Sequence, residues 1–416
     1  MAKIILSINA GSSSVKISVY SAEQNCTPHQ LAETQISGLT APPPQLDYAR
    51  GGETIYKSKV VDSEISSQDD AFKELLDTLI NDEQLPEIKS KSDIAIATHR
   101  IVHGGDYETH TKITDATYHH LEELNDLAPL HNTKSLEIVR SCVNLLPETT
   151  NVAHFDTQFH ATLPPHIFTY PIDPVIAKSN RLRKYGFHGI SYAFVLRAAA
   201  EKLGKKVEET NIIALHLGSG ASACAIKQGK SWDTSMGLTP LAGLPGATRS
   251  GSVDPSLVFH YASDVGKLSP GSTKDLHISR AEEILNKEAG WRALTGTTNF
   301  GAIAGEEEDE QKKMAFDLFV DRICGFVGSY YVSLKGQVDA LVFAGGIGEK
   351  SSRLRKEVTT QAACLGFEVD DELNNKGPAD TVTDVSKEGS KHKTLVCLTD
   401  EQFEMARGCA EDPELW

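Results

Sequence analysis

Four side chains of this 416-residue sequence stand where anion chemistry could be done: Arg100, Asp156, His188 and Arg249. Arg100 sits in Thr98-His99-Arg100-Ile101-Val102-His103-Gly104-Gly105, just after the apolar run Ile94 to Ala97. An arginine at a strand end can clamp a carboxylate or a phosphate with two parallel hydrogen bonds. Arg249 lies in Ala247-Thr248-Arg249-Ser250-Gly251, a loop whose backbone could approach an anion. His188 is read as uncovered by the glycines around it, Gly186 and Gly189. Its imidazole could donate to a phosphoryl oxygen as negative charge builds there. Asp156 follows the expected strand Asn151 to Phe155, where a carboxylate could orient a nucleophile or serve Mg2+. Singly, each has a plainer reading: a surface ion pair for either arginine, a satisfied core histidine, one acid among 57.

Glycine-rich turns at 9–14, 217–220, 245–251 and 344–348 supply the second signal. None reads GxxxxGK[ST], and Gly345-Gly346-Ile347-Gly348 is not GxGxxG, so neither common nucleotide loop is present. Backbone N–H cradles suited to phosphate oxygens remain. Hairpin geometry explains any one of them, but four, two paired with serine clusters, favour phosphate. The histidines lack HExxH spacing and the seven cysteines form no CxxC, which argues against a tightly bound transition metal.

The elements needed to position these groups follow from periodicity. A strand Ile4 to Ile8, the turn Asn9 to Ser14 and a half-buried strand Val15 to Tyr20 form a hairpin. Residues 21–70 read as hairpins and surface loops. Phe72, Leu75, Leu76 and Leu79 predict an amphipathic helix over 71–80, and another spans 133–146 with Leu136, Val139, Val143 and Leu146 inward. Residues 212–226 repeat the strand–turn–strand pattern, placing Asn9-Ala10-Gly11-Ser12 on His216-Leu217-Gly218-Ser219. Helices are expected near 192–203 and 314–335. The strand Ala340 to Phe343 then runs through a glycine turn to a helix at 351–364. A last strand, Thr394 to Leu398, precedes a helix capped by Asp400 with Glu401 at its positive end. Alternating strands and helices give an α/β class, and the length suggests two domains.

The net charge of −16 opposes binding to nucleic acid or anionic membranes. No apolar run reaches the ~18 residues of a membrane span, and Asn9 interrupts the N-terminal one, so a signal peptide is not expected. Scattered, odd-numbered cysteines read as free thiols of a reducing, cytoplasmic compartment.

Nine segments in order closely resemble the motifs of acetate kinases. They are Asn9 to Lys16, His99 to Gly105, Ala128-Pro129-Leu130-His131-Asn132, Phe155-Asp156-Thr157, Tyr185 to Gly189, His216-Leu217-Gly218, Asp233 to Gly237, Thr248 to Gly251, and Gly346 to Glu349. The resemblance implies the fold of acetate and sugar kinases, Hsc70 and actin: two ribonuclease-H-like domains (duplicated βββαβαβα) around a nucleotide cleft. Residues 1–156 with 402–416 would form the first and 157–401 the second. It implies reversible, Mg2+-dependent transfer between ATP and acetate, giving acetyl phosphate and ADP, in a homodimer. Asn9 and Glu401 would hold Mg2+, largely through water. Ser12, Ser14 and Lys16 would line the phosphate path. Arg100 would hold the acetate carboxylate, Arg249 the transferring phosphoryl group, His188 its equatorial oxygens, and Asp156 would position or activate the acyl oxygen. Val102, Leu130, Phe187 and Pro240 would enclose the methyl group. Nucleotide contacts would come from His216, Leu217, Gly218, Ser219 and Gly220, from Asn299, Phe300 and Gly301, and from Gly346, Ile347, Gly348, Glu349 and Lys350.

Four places depart from the family pattern. Ser219 replaces the Asn of HLGNG, and Asn299-Phe300-Gly301 replaces Asp-x-Arg. Lys350 replaces the Asn after GIGE, and Gly243-Leu244-Pro245-Gly246-Ala247 replaces a methionine–glycine loop. Three of these touch the nucleotide side, so a pyrophosphate-using relative stays open, as does a propionate kinase. An actin- or Hsc70-like ATP-gated binding protein is the alternative from another class, but it has no use for two arginines and a histidine directed at a small carboxylate.

Overall fold

The computed structural model describes residues 2–11, 13–39, 42–61, 65–124, 129–261, 268–270, 272, 278–305 and 309–416, with the backbone alone at 129–131 and 261. The chain divides into two compact units, Met1–Gln158 with Asp400–Trp416, and Phe159–Thr399.

The first unit is built on an eight-stranded sheet. Its strands are β1 (Lys3–Ala10), β2 (Ser14–Ala22), β3 (His29–Ser37), β4 (Gln45–Arg50), β5 (Glu53–Val60), β6 (Ile94–Ile101), β7 (Thr111–Lys112) and β8 (Thr150–Phe155). They lie in the order β5-β4-β3-β2-β1-β6-β8-β7. Strands β1, β6 and β8 are mutually parallel, while β2 runs antiparallel to β1 and β3 antiparallel to β2. Alternation sends Ile4, Leu6 and Ile8 to one face, where Phe72, Leu75 and Leu79 of the helix Gln68–Ile80 cover them. Ile5 and Tyr20 point to the other face, against Ala406, Cys409 and Ala410 of the helix Glu401–Glu411. Strand β2 is therefore buried on both faces rather than half-buried: Ser18 and Tyr20 lie under the returning C-terminal helix.

The second sheet comprises β9 (Ile212–Leu217), β10 (Ala221–Lys227), β11 (Lys230–Thr234), β12 (Ala340–Ala344), β13 (Val382–Asp384) and β14 (Lys393–Cys397), ordered β11-β10-β9-β12-β14-β13. Here β9, β12 and β14 are parallel and β10 and β11 antiparallel. Strands β1, β2, β3, β6 and β8 thus have counterparts in β9, β10, β11, β12 and β14, so the sequence repeat marks the same hairpin in two ribonuclease-H-like units. Ile213, Leu215 and Phe343 pack against Phe316, Phe319 and Ile323 of the long helix Glu310–Ser333.

Local differences have physical causes. Ser67 caps the first helix by accepting from the Asp70 N–H, which starts it at Gln68, earlier than the apolar pattern shows. The helix Pro129–Leu145 buries Ile138, Val139 and Cys142, whereas Val143, expected inward, falls at the edge of this stripe and is exposed. Gly345 to Lys350 is not a turn but a helix that opens directly on β12. Gly345 has φ +75°, and a Cβ there would stand 2.8 Å from the Leu217 carbonyl oxygen. Gly345→Ala is therefore expected to destabilise the protein by about 1–3 kcal/mol, read as a lower urea midpoint; an unchanged midpoint would show that the strand end relaxes freely. No helix of the described residues is long and apolar enough to cross a membrane.

Candidate active site

In both units the polar residues gather at the carboxyl ends of the parallel strands, where open α/β sheets bind their ligands. In the first, Asn9 ends β1, Arg100 ends β6, Asp156 follows β8, and Glu401 opens the C-terminal helix. The parallel register, Ile8 beside His99 and Ile101 beside Phe155, makes them neighbours. Arg100 donates from Nε to Asp156 Oδ1 at 3.0 Å and from Nη2 to Oδ2 at 2.7 Å. Its Nη1 faces Glu401 Oε2 at 3.3 Å and Asn9 Oδ1 at 3.5 Å, and Asn9 Nδ2 donates to Glu401 at 3.4 Å.

Burial opposes the Arg100 charge, but the Asp156 and Glu401 carboxylates outweigh it and hold its pKa above the ordinary arginine value. Burial raises the pKa of Glu401; Arg100 pulls it down and Asp156 adds to the rise. The Glu401 carboxylate and the Asn9 amide oxygen, side by side here, are hard-oxygen donors of the kind Mg2+ takes. Both Asp156 oxygens are engaged by Arg100, an arrangement the sequence did not disclose.

Lys16 lies opposite Asn9 on β2 and pairs with Glu33 at 2.8 Å, partly exposed. Ser14 begins β2, and its carbonyl accepts from the Gly11 N–H at 2.9 Å. Ser12 lies outside the described residues, as does the Leu130 side chain. Val102 is half-buried just beyond β6.

The second unit brings two of its glycine turns together. The hairpin tip Gly218-Ser219-Gly220 joins β9 to β10, and the Ser219 carbonyl accepts from the Ala247 N–H at 2.8 Å. A Cβ on Gly246 would lie 2.6 Å from that same carbonyl, so only glycine permits the approach. The loop thereby places Arg249 over the tip: a Cβ built on Gly220 would stand 2.9 Å from Arg249 Nη1 and 3.7 Å from His188 Nε2. His188, at φ +59°, precedes the helix Gly189–Leu203 and stacks on His216, ring centroids 4.1 Å apart. Contrary to the sequence reading, the glycines do not leave His188 uncovered; it is buried. Gly186 instead meets a backbone demand, φ +80° with a Cβ only 2.4 Å from Thr234 Cγ2.

Other expected contacts divide by placement. Phe187 and Pro240 are buried, and Leu217 faces the core. Asn299 caps a short helix by accepting from the Gly301 N–H at 2.9 Å. Phe300 is in the aromatic core beside Trp291 and Phe319. Gly346 and Lys350 are exposed, Gly348 is buried and Ile347 packs on the core. The Glu349 carboxylate accepts from the main-chain N–H groups of Gly345 (3.1 Å) and Thr399 (3.2 Å), tying the ends of β12 and β14 together. Burial raises its pKa, and those two N–H groups oppose the rise.

A duplicated ribonuclease-H-like unit with polar residues at the carboxyl strand ends defines the class of acetate and sugar kinases, Hsc70 and actin. Within that class the chain belongs to the acetokinase family, whose model matches residues 4–407. A Neurospora crassa protein described as a probable acetate kinase is 64% identical over all of this chain and 95% of its own. An Emericella nidulans protein so described is 58% identical, with 98% of each chain covered. The crystal structure of Porphyromonas gingivalis acetate kinase superposes with a TM-score of 0.82 at 32% identity, over 97% of this chain and 98% of that one. A propionate kinase from Francisella tularensis gives 0.83 at 33% identity, over 98% of each.

Proposed function

We propose that this protein is an acetate kinase, transferring the γ-phosphoryl group of ATP to acetate and catalysing the reverse. The Arg100–Asp156 pair carries this reading. A guanidinium locked at a strand end by a bidentate carboxylate presents a fixed cation, the feature a small carboxylate substrate needs. In this reading Asp156 acts through Arg100 rather than on the acyl oxygen itself. Acetate is already an anion at neutral pH, so its attack on phosphorus needs no strong base. Phosphoryl transfer passes through a loose, charge-spread transition state, and catalysis is mainly positioning and neutralisation.

Arg100 orients the acceptor, with Val102 beside it. Arg249, His188 Nε2 and the N–H groups of Ser219 and Gly220 hold phosphoryl oxygens, the Gly218 N–H being given to the Gly220 carbonyl; Phe187 and Pro240 supply apolar wall. Asn9 and Glu401 would hold Mg2+, which neutralises nucleotide phosphate charge when bound. Lys16 and Ser14 would serve the phosphate path, and the segments at 299–301 and 346–350 the nucleotide. A cytoplasmic homodimer belongs to the same proposal.

The relatives at 58–64% identity are named for acetate, whereas the two solved structures divide between acetate and propionate. A steady-state panel of ATP, GTP and pyrophosphate against acetate and propionate tests the reading. ATP with acetate is expected to give the highest kcat/KM. One methylene should lower it by about 10–200-fold. Acetate-independent ADP release would overturn the kinase reading in favour of an ATP-gated binding protein.

A further inference from the structure

His188 has neighbours that the proposed reaction does not use. Its Nδ1 lies 2.9 Å from Ser222 Oγ, and Ser222 Oγ lies 2.5 Å from the Tyr192 hydroxyl. Ser222 and Tyr192 are both fully buried. They come from different elements, β10 and the helix that His188 itself precedes. A polar group costs free energy in such a place unless its hydrogen bonds are made. The chain Tyr192–Ser222–His188 accounts for all three groups at once.

The direction of donation along this chain sets the tautomer of the imidazole. A neutral ring carries one proton, and the nitrogen accepting a hydrogen bond is the one without it. A phenol is a better donor and a poorer acceptor than an aliphatic hydroxyl, so the short contact runs from Tyr192 O–H to Ser222 Oγ. Ser222 then has its own proton left to give to His188 Nδ1. Burial keeps the phenol protonated, and the His216 main chain, with Ser222, acts on its oxygen in the opposite sense. With Nδ1 accepting, the ring proton sits on Nε2, the nitrogen nearest Gly220 and its neighbour Arg249.

We propose that Tyr192 and Ser222 are positioning residues that hold His188 in its Nε2–H tautomer, presenting a proton donor to the transferring phosphoryl group. This rests on the role given to His188 above. The left-handed backbone of His188, unusual for a residue with a side chain, fits a ring whose placement is set by its surroundings. The one hydroxyl in the apolar run Ala221-Ser222-Ala223-Cys224 was the only sequence sign of it.

The test uses the full-length protein with 15N-labelled histidine, the His188 ring signals being assigned by their loss in His188→Gln. The parent is expected to show the Nε2–H pattern. Ser222→Ala should abolish that preference and lower kcat by about 10–100-fold, with both substrate KM values within about threefold. Tyr192→Phe should weaken the preference with a smaller loss, and Ser222→Thr, which keeps the hydroxyl, should retain most of kcat. An Nδ1–H parent, or an unchanged Nε2–H pattern in Ser222→Ala, overturns the proposal; if Ser222→Ala does not fold, an unchanged pattern in Tyr192→Phe does so. Parental kcat in His188→Gln would instead remove the catalytic role of His188, whatever its tautomer.

Discussion

Asp156→Ala is expected to lower kcat/KM for acetate by about three orders of magnitude while leaving the ATP KM nearly unchanged. The expectation follows from what Asp156 holds. Its two oxygens take the Nε and Nη2 donors of Arg100 at 3.0 and 2.7 Å, and without them the guanidinium turns toward Glu401, 3.3 Å away. An ångström of misplacement in a positioning group costs on the order of a hundredfold, and loss of the fixed cation adds to that. Removing one partner from a buried ion pair typically costs about 3–5 kcal/mol of stability. The Asp156 side chain is 1% exposed and that of Arg100 20%. Glu401 still balances the charge, so urea unfolding should show a loss near the low end. The double variant Arg100→Ala/Asp156→Ala decides how Asp156 acts. If it works through Arg100, the double variant is no slower than the worse single one. Additive losses would give Asp156 a direct part, and activity within threefold of the parent would sink both readings.

Arg249→Ala is expected to lower kcat by about 10²–10³-fold, the loss that follows removal of one preorganised donor to a developing negative charge, or about 3–4 kcal/mol of barrier. Lysine should restore little, because one ammonium point charge does not reproduce a planar fork. Gly220→Ala offers a gentler version. The added methyl would sit 2.9 Å from Arg249 Nη1, displacing the guanidinium without removing it. A fall in kcat with unchanged thermal stability is expected there, measured by initial rates and a melting curve. Arg249→Ala at parental kcat would mean that the loop binds nothing in the transition state.

How much of this was legible in the chain depends on how local the cause is. The helix Gln68–Ile80 was readable because Phe72, Leu75, Leu76 and Leu79 recur at the helical period, a relation confined to a few residues. The α/β class was readable in the same way. Gly345 to Lys350 misled because glycine has a poor intrinsic helix propensity, whereas here the β12 end and the Glu349 carboxylate stabilise the helix. Val143 misled because a helix covered from two sides buries a different stripe from one covered from a single side. Asp400 as a cap was readable, and its side chain does accept from the Phe403 N–H at 2.9 Å.

The candidate residues themselves were visible as types: arginines beside glycines, a histidine among glycines, an acid at a strand end, each in a recognisable motif. Which of them touch was not visible. Asn9, Arg100, Asp156 and Glu401 meet because β1, β6 and β8 are parallel neighbours and the last helix packs on them. That pairing is a property of sheet order, and local residue patterns do not encode sheet order. The same holds for His188, where a hydroxyl from β10 meets one ring nitrogen and a phenol from a helix meets that hydroxyl. Sequence by itself determined element types, glycine positions and the chemical inventory, because short-range sterics and hydrophobic periodicity govern them. Only the tertiary structure decided that Asp156 is spent on Arg100 and that Ser222 faces His188, because hydrogen bonds between residues tens of positions apart exist only once the strands are in register.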